Sequence, residues 1–327
     1  MTGFLKLIRW QNLLIVVLTM VLMRYAIIEP LISRVGVILL KGSGEEGPMV
    51  LQFPWYNFLV LVAATVSITA GGYVINDYFD IKTDLINRGQ AIVGTSVSRR
   101  QAMLLHSIFN IAGVTAGFYV SWRAGYFWLG TVFLLVSGLL YFYSASYKRQ
   151  FLLGNLMVSV LTALVPFMVV LFEWAALYRY YSVSAIEIPK LSFLFYWVGG
   201  FSLFAFLTTL TREIIKDTED FEGDLAYGRN TLPVIIGITG SKIVAASLVV
   251  ITIVLLYLVW HYFIDDELTL GYISAGIVAP QVYVLYQLIV SREKKGLHLA
   301  SRTMKIVMFA GIIYSLLVKA IITWNLI

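Results

Sequence analysis

Residues 71–88 read GGYVINDYFDIKTDLINR and close the second long apolar run of the chain. Within this stretch, Asp77, Asp80 and Asp84 stand at positions i, i+3 and i+7. On a helix, that spacing predicts three carboxylates on one face. Because like charges on one helix face repel each other, such a column indicates a cationic partner.

A second stretch repeats the pattern 140 residues later. Residues 212–224 read REIIKDTEDFEGD, and Asp217, Asp220 and Asp224 are again spaced i, i+3 and i+7. Half of the 18 Asp and Glu of the chain fall in these two stretches. Divalent cations such as Mg²⁺ prefer carboxylate oxygens and keep part of their shell for water and phosphate. The matched columns therefore predict a metal-dependent site.

The composition indicates a membrane protein. The chain has 327 residues, of which 60% are hydrophobic and 13% charged, and its mean hydropathy is +0.85. These values lie outside soluble globular usage. The absence of cysteine excludes disulfides, thiol nucleophiles and thiolate metal sites. A net charge of +6 is ordinary for loops that face an anionic leaflet, and we predict no nucleic-acid partner.

Nine apolar runs, each about 20 residues long, predict nine transmembrane helices. The predicted spans are 11–31, 57–76, 103–122, 126–144, 154–174, 191–211, 241–263, 269–290 and 304–325. If the N-terminus is cytoplasmic, most of the 24 Lys and Arg lie on the inner side. We therefore predict an integral protein of a bacterial or archaeal plasma membrane, with both Asp columns and the active site on the cytoplasmic side.

Basic residues accompany the carboxylates on that side. Lys148 and Arg149 lie in an inner loop, and Arg212 and Lys216 belong to the second acidic stretch. Cations beside carboxylates suit a metal-bridged phosphate group. For Lys148 and Arg149, the alternative role is to set the topology. The alternative for the acidic stretches themselves is an exposed helix end neutralised by nearby basic residues, namely Lys82, Arg88 and Lys216.

With these residues in view, the chain resembles the UbiA-type superfamily of intramembrane prenyltransferases. The resemblance covers the whole chain and is carried by four stretches. They are the opening Arg9 with Asn12, the first motif from Asn76 to Asp84, a middle stretch with Tyr143-Ser144, Lys148-Arg149 and Gly154-Asn155, and the second motif from Lys216 to Asp224 followed by Thr231-Leu232-Pro233. After the first motif, Arg88 matches the family pattern, whereas the family's usual second arginine is missing.

The resemblance implies an all-α polytopic membrane protein in which nine transmembrane helices form a ring around a central cavity. Two pseudo-repeated four-helix halves, about 1–150 and 151–290, plus one helix would make a single domain over residues 1–327.

The resemblance also implies a chemistry. The six aspartates would be catalytic and would bind Mg²⁺, with Mn²⁺ as an alternative ion. The metal would bind the diphosphate of a polyprenyl diphosphate donor, and a lipophilic acceptor in the bilayer would capture the prenyl group. The residues implied to bind substrate are Arg9, Asn12, Asn76, Arg88, Tyr143, Lys148, Arg149, Arg212 and Lys216.

The acceptor is predicted from the style of the second motif. KDTEDFEGD is similar to members that prenylate geranylgeranylglyceryl phosphate, which favours ether-lipid synthesis. The alternative acceptor is an aromatic quinone precursor of the naphthoate, benzoate or homogentisate type. An alternative from another class is a divalent-cation transporter, which we disfavour because the carboxylates lie at helix ends and not at the midplane. The sequence indicates no oligomeric state.

Overall fold

The computed structural model describes residues 2–35, 37–39, 46–184, 191–291 and 293–324. Within these ranges, the side chains of residues 2, 35, 37–39, 46, 47, 87, 88 and 184 are not described.

Nine helices in the described part of the chain are long and apolar enough to cross a membrane. These spans 1 to 9 are Trp10–Arg34, Trp55–Phe79, Arg99–Ala124, Phe127–Ala145, Leu153–Val183, Ser192–Glu219, Leu232–Ile264, Glu267–Val290 and Lys294–Trp324. Each contains or overlaps one predicted span in the same order, so the helical membrane class and the nine spans are confirmed.

The span boundaries differ from the predicted ones, mostly by extension. Span 6 continues to Glu219, and span 9 begins at Lys294. Hydropathy detects only the apolar part of a helix, whereas backbone hydrogen bonding continues through charged turns at the ends. Span 7 includes a break at Gly237, where φ is 78°. Glycine adopts this left-handed value at little steric cost.

Short elements connect the spans. The short α-helices are Thr2–Leu7, Ile81–Arg88 and Phe221–Ala226, and a 3₁₀ turn spans Tyr147–Arg149. Two three-residue strands, β1 (Val37–Leu39) and β2 (Glu46–Pro48), pair antiparallel with Val37 opposite Pro48. This small ladder is the exception to the all-α prediction within the described residues.

The chain divides into two compact units. Unit 1 comprises Met1–Ala145 and Val165–Gly199, and unit 2 comprises Ser146–Leu164 and Gly200–Ile327. The first acidic motif belongs to unit 1 and the second to unit 2. A single domain built of halves 1–150 and 151–290 stays a prediction.

Close helix contacts at glycines hold unit 1 together. A Cβ on Gly113 of span 3 would lie 2.6 Å from Ile68 Cγ1 and 3.0 Å from the Ala64 carbonyl oxygen of span 2. A Cβ on Gly117 would lie 2.3 Å from the Phe133 ring of span 4. In a bilayer, helix association depends on such close contacts. Spans 2, 3 and 4 therefore form the frame that carries the first motif.

Two apolar clusters fix the segments around the motifs. In unit 1, Val74 packs in a buried cluster with Val93 and Val97, which holds the loop after the first motif against the end of span 2. In unit 2, Ile214 and Ile215, just before the second motif, are fully buried in a cluster contributed by spans 6 to 9. Each motif thus continues from a packed helix.

Candidate active site

The first motif spans a break between two helices. Asn76 and Asp77 lie in the last turn of span 2, which ends at Phe79. Asp80 has φ −92° and ψ 2°, and a new helix begins at Ile81. The Asp80 N–H donates to the Asn76 carbonyl at 3.0 Å, and the Asp84 N–H donates to the Asp80 carbonyl at 2.8 Å. Hydrogen bonding continues on both sides, so the break interrupts the helical φ/ψ at Asp80 without opening a loop.

The second motif has the same break at the equivalent residue. Span 6 ends at Glu219, Asp220 has φ −91° and ψ 10°, and the next helix is Phe221–Ala226. The prediction that each triad lies on one face of one helix is therefore wrong in both motifs. The reason is that the middle aspartate adopts the sparsely populated bridge region of φ/ψ space, which interrupts the helix.

Arg9 and Asn12, both predicted to bind substrate, lie beside the first motif. The Arg9 guanidinium donates to Asp77 Oδ1 at 2.8 Å and lies 4.9 Å from the centre of the Tyr73 ring. Asn12 Nδ2 donates to the Tyr73 hydroxyl at 3.3 Å. The backbone of Arg9 is left-handed, with φ 50°. The turn between Thr2–Leu7 and span 1 thus brings a cation to a buried carboxylate from 68 residues away.

Asp80 is held by its neighbours in the motif. Asn76 Nδ2 donates to Asp80 Oδ2 at 2.9 Å. Thr83 Oγ1 lies 3.1 Å from the Asp80 carbonyl oxygen and 3.3 Å from Asp80 Oδ1, and its one hydroxyl proton is donated to one of the two at a time. The Asn76 amide thus orients one carboxylate oxygen of Asp80. Thr83 and Tyr73 were not among the predicted site residues. Thr83 follows Asp80 at i+3 and could have been found from that spacing.

In the second motif, the first and third aspartates each have a donor that the predicted site set lacked. Asn155 Nδ2 donates to Asp217 Oδ2 at 2.8 Å. Arg229 Nη1 donates to Asp224 Oδ1 at 3.2 Å. Burial raises the pKa of the Asp224 carboxyl above its ordinary value, although the positive charge of Arg229 opposes this rise. Asn155 stands in the middle stretch of the family resemblance, which was the available signal.

Two of the predicted cations contact a glutamate next to the second motif. Arg212 Nη1 lies 2.6 Å from Glu213 Oε1, and Lys216 Nζ lies 3.8 Å from Glu213 Oε2. Lys148 and Arg149 form the 3₁₀ turn, and the Arg149 carbonyl accepts the Asn230 N–H at 2.9 Å. This bond ties the turn to the segment that follows the second motif.

For the two remaining predicted substrate-binding residues, Tyr143 and Arg88, the structure gives only their positions. Tyr143 lies in the last turn of span 4 and is half-buried. Arg88 ends the helix that follows the first break, but its side chain lies outside the described part of the structure. The roles assigned to both residues stay predictions.

The aspartates provide the donor chemistry of a hard divalent cation. Carboxylate oxygens suit Mg²⁺ or Mn²⁺, and all six predicted ligands are carboxylates. Within the described ranges, however, no three acidic or histidine side chains converge closely enough to hold an ion. Donor type therefore fits the predicted metal, and the arrangement of ligands around it stays a prediction.

Comparisons with known proteins give the family. Residues 50–309 match the UbiA prenyltransferase family. A digeranylgeranylglyceryl phosphate synthase of Methanosphaera stadtmanae is 31% identical over 79% of this chain and 87% of its own length.

Solved structures show the same fold. One, described as giving structural and mechanistic insights into the biosynthesis of digeranylgeranylglyceryl phosphate synthase in membranes, has a TM-score of 0.62 at 23% identity and covers 96% of this chain and 98% of its own. A UbiA homologue of Archaeoglobus fulgidus, bound to GPP and Mg²⁺, has a TM-score of 0.54 at 19% identity and covers 97% of this chain and 99% of its own. The predicted family is confirmed: the chain belongs to the UbiA prenyltransferase family.

Proposed function

We propose that this chain transfers a geranylgeranyl group from geranylgeranyl diphosphate to the hydroxyl of geranylgeranylglyceryl phosphate, in the synthesis of an archaeal-type ether lipid. The observation that carries the proposal is the pair of aspartate triads, each broken at its middle residue, in a chain of the UbiA family. The name of the Methanosphaera stadtmanae relative supports this acceptor.

The proposed metal ligands are the six motif aspartates, with Mg²⁺ as the ion. The Mg²⁺ and GPP bound to the Archaeoglobus fulgidus homologue support this choice. When bound, the ion would neutralise the diphosphate and favour its departure.

The neighbouring side chains hold the carboxylates ready. Arg9 and Arg229 lower the cost of keeping Asp77 and Asp224 charged in buried positions. Amide donors orient two further carboxylates, Asn76 at Asp80 and Asn155 at Asp217. These bonds fix the ligand oxygens before substrate arrives, which reduces the reorganisation needed during the reaction.

The proposed reaction breaks one bond and forms another. The allylic carbon–oxygen bond of the donor breaks, and pyrophosphate leaves with the electron pair. The acceptor hydroxyl forms the new ether bond and releases its proton. We propose that this takes place at the cytoplasmic side of the membrane.

The test uses purified full-length protein with Mg²⁺, geranylgeranyl diphosphate and one acceptor at a time, with products identified by mass. We expect a doubly prenylated glycerol phosphate, and no product in excess EDTA. Prenylated naphthoate or benzoate without ether-lipid product would contradict the acceptor but leave prenyl transfer standing. Full activity in EDTA would contradict the metal site.

Two variants test the residues themselves. Asp80→Asn and Asp220→Asn keep the side-chain shape and remove the charge, so each should lower turnover at least about tenfold by weakening stabilisation of the leaving group. Asp265→Asn is the matched control, because Asp265 is exposed and has φ 53°, a conformation that asparagine tolerates. Wild-type turnover in both motif variants at equal expression would contradict the assignment.

A further inference from the structure

A buried ion pair in unit 1 fixes the segment that leads into span 2. Glu173 Oε1 of span 5 accepts the backbone N–H of Gln52 at 2.8 Å and of Phe53 at 3.0 Å. Arg24 of span 1 lies 3.5 Å from Glu173 Oε2, and its guanidinium also donates to the Phe53 carbonyl. The side chains of Arg24 and Glu173 are 3% and 1% exposed. The hydrogen bonds to the backbone of Gln52 and Phe53 thus hold this segment against the buried pair.

The fixed segment forms one wall of a cavity of ≈ 380 Å³. The other walls come from the first turn of span 2 and the ends of spans 3 and 5. The polar residues that line it are Gln52, Asn57, Arg123, Arg179 and Tyr180. Because Gln52 is anchored through its backbone, this wall is preformed.

Two guanidinium groups line this one cavity. Arg123 and Arg179 come from spans 3 and 5, and both are exposed. Gly125, with φ 90°, lets the Arg179 side chain pack against it, because a Cβ there would lie 2.8 Å from both Cδ and Nη1 of Arg179. Among the described residues that line the cavity, none is acidic. Two cations at one cavity repel each other, which favours an anionic ligand.

The position of the cavity separates it from the first acidic motif. Asn57 precedes Asp77 by 20 residues on span 2, which places them about 30 Å apart along the helix. Exposed tryptophans stand at the same helix ends, Trp55 at the start of span 2 and Trp122 at the end of span 3. Such tryptophans are typical of the headgroup level of a bilayer.

We propose that this cavity is a binding site for the headgroup of a membrane phospholipid, with Arg123 and Arg179 binding the phosphate. The ligand is a phosphodiester with a net negative charge. Its hydrocarbon chains would extend along the apolar faces of the neighbouring spans. This site is independent of the proposed prenyl transfer.

The test compares lipid retention by the purified full chain in native mass spectrometry. Phosphatidylglycerol, whose headgroup has a net negative charge, should be retained better than zwitterionic phosphatidylcholine. In the double variant Arg123→Gln/Arg179→Gln, the bound fraction of phosphatidylglycerol should fall about tenfold, as expected when charge-assisted bonds become neutral. Each single variant should show part of this loss, so the single variants test the site even where the double variant folds poorly.

The control is Arg302→Gln, an exposed arginine of span 9 that lies in unit 2. It should leave retention unchanged. Equal losses in Arg302→Gln and the double variant, or no loss in any variant, would overturn the site. Inorganic phosphate alone should not raise the thermal midpoint of lipid-free protein. A rise equal to that given by phosphatidylglycerol would assign the cavity to a soluble phosphate and overturn the lipid assignment.

Discussion

Glu173→Gln should destabilise the protein strongly although it changes one atom of a side chain. The glutamine Oε1 can still accept the N–H groups of Gln52 and Phe53, but its Nε2 then takes the position that faces Arg24. A donor replaces an acceptor beside a buried cation. The two backbone bonds also become neutral, falling from about 1.5–3 to about 0.5–1.5 kcal/mol each. Removing one partner of a buried ion pair costs about 3–5 kcal/mol, and we expect a loss within that range.

The assay is equilibrium unfolding in mixed micelles with increasing SDS, followed by the fluorescence of the eight tryptophans. Glu267→Gln is the matched control, because Glu267 is exposed at the start of span 8, and it should change the free energy of unfolding by less than about 0.5 kcal/mol.

A second variant separates the effect of the unpaired Arg24 charge from the effect of the changed side chain at residue 173. Arg24→Met/Glu173→Gln removes the unpaired cation and keeps the acceptor for the two backbone N–H groups. It should be more stable than Glu173→Gln by at least about 1 kcal/mol, within the usual coupling range of contacting residues. A Glu173→Gln protein within about 1 kcal/mol of wild type, or a double variant less stable than the single, would refute the reasoning.

Two further predictions test the topology and the helix frame. For the topology, single cysteines are introduced into this cysteine-free chain at the exposed residues Gln90, Glu293 and Glu267. Those at Gln90 and Glu293 should react with an impermeant maleimide only from the cytoplasmic side, and the one at Glu267 only from outside. The reverse pattern would contradict the positive-inside prediction. For the helix frame, Gly113→Ala should lower the free energy of unfolding by about 1–3 kcal/mol, because the new Cβ meets Ile68 and the Ala64 carbonyl. The control is Gly138→Ala, which has nothing within 4 Å of its Cβ and should not lower this free energy. Equal effects of the two variants in SDS unfolding would contradict the close contact of spans 2 and 3.

The number and order of the spans could be predicted, because an apolar run must be helical to satisfy its backbone in lipid. Their ends could not. Span 6 continues to Glu219 through a charged segment that hydropathy excludes, and packing of Ile214 and Ile215 in unit 2 supports that extension. The interruption of the first run by Arg24 also had no explanation in sequence, since its partner Glu173 is far away in the chain.

The spacing of the aspartates singled them out as candidate ligands, which stays a prediction, but it did not indicate their partners. Arg9 reaches Asp77 across 68 residues, and Asn155 reaches Asp217 across 62. Contacts between helices at such separations depend on how the spans pack, which local periodicity does not encode. The family resemblance pointed to Arg9 and to the stretch that contains Asn155, without indicating which carboxylate each would contact.

The break at the middle aspartate is a property of the motif itself. The residues that follow it differ, Ile81 in one case and Phe221 in the other, yet Asp80 and Asp220 have nearly the same φ and ψ. Each break places the first and third aspartates of its triad on different helices. The i, i+7 geometry of one continuous helix therefore no longer fixes the distance between these two carboxylates, which now depends on how the short helix is held.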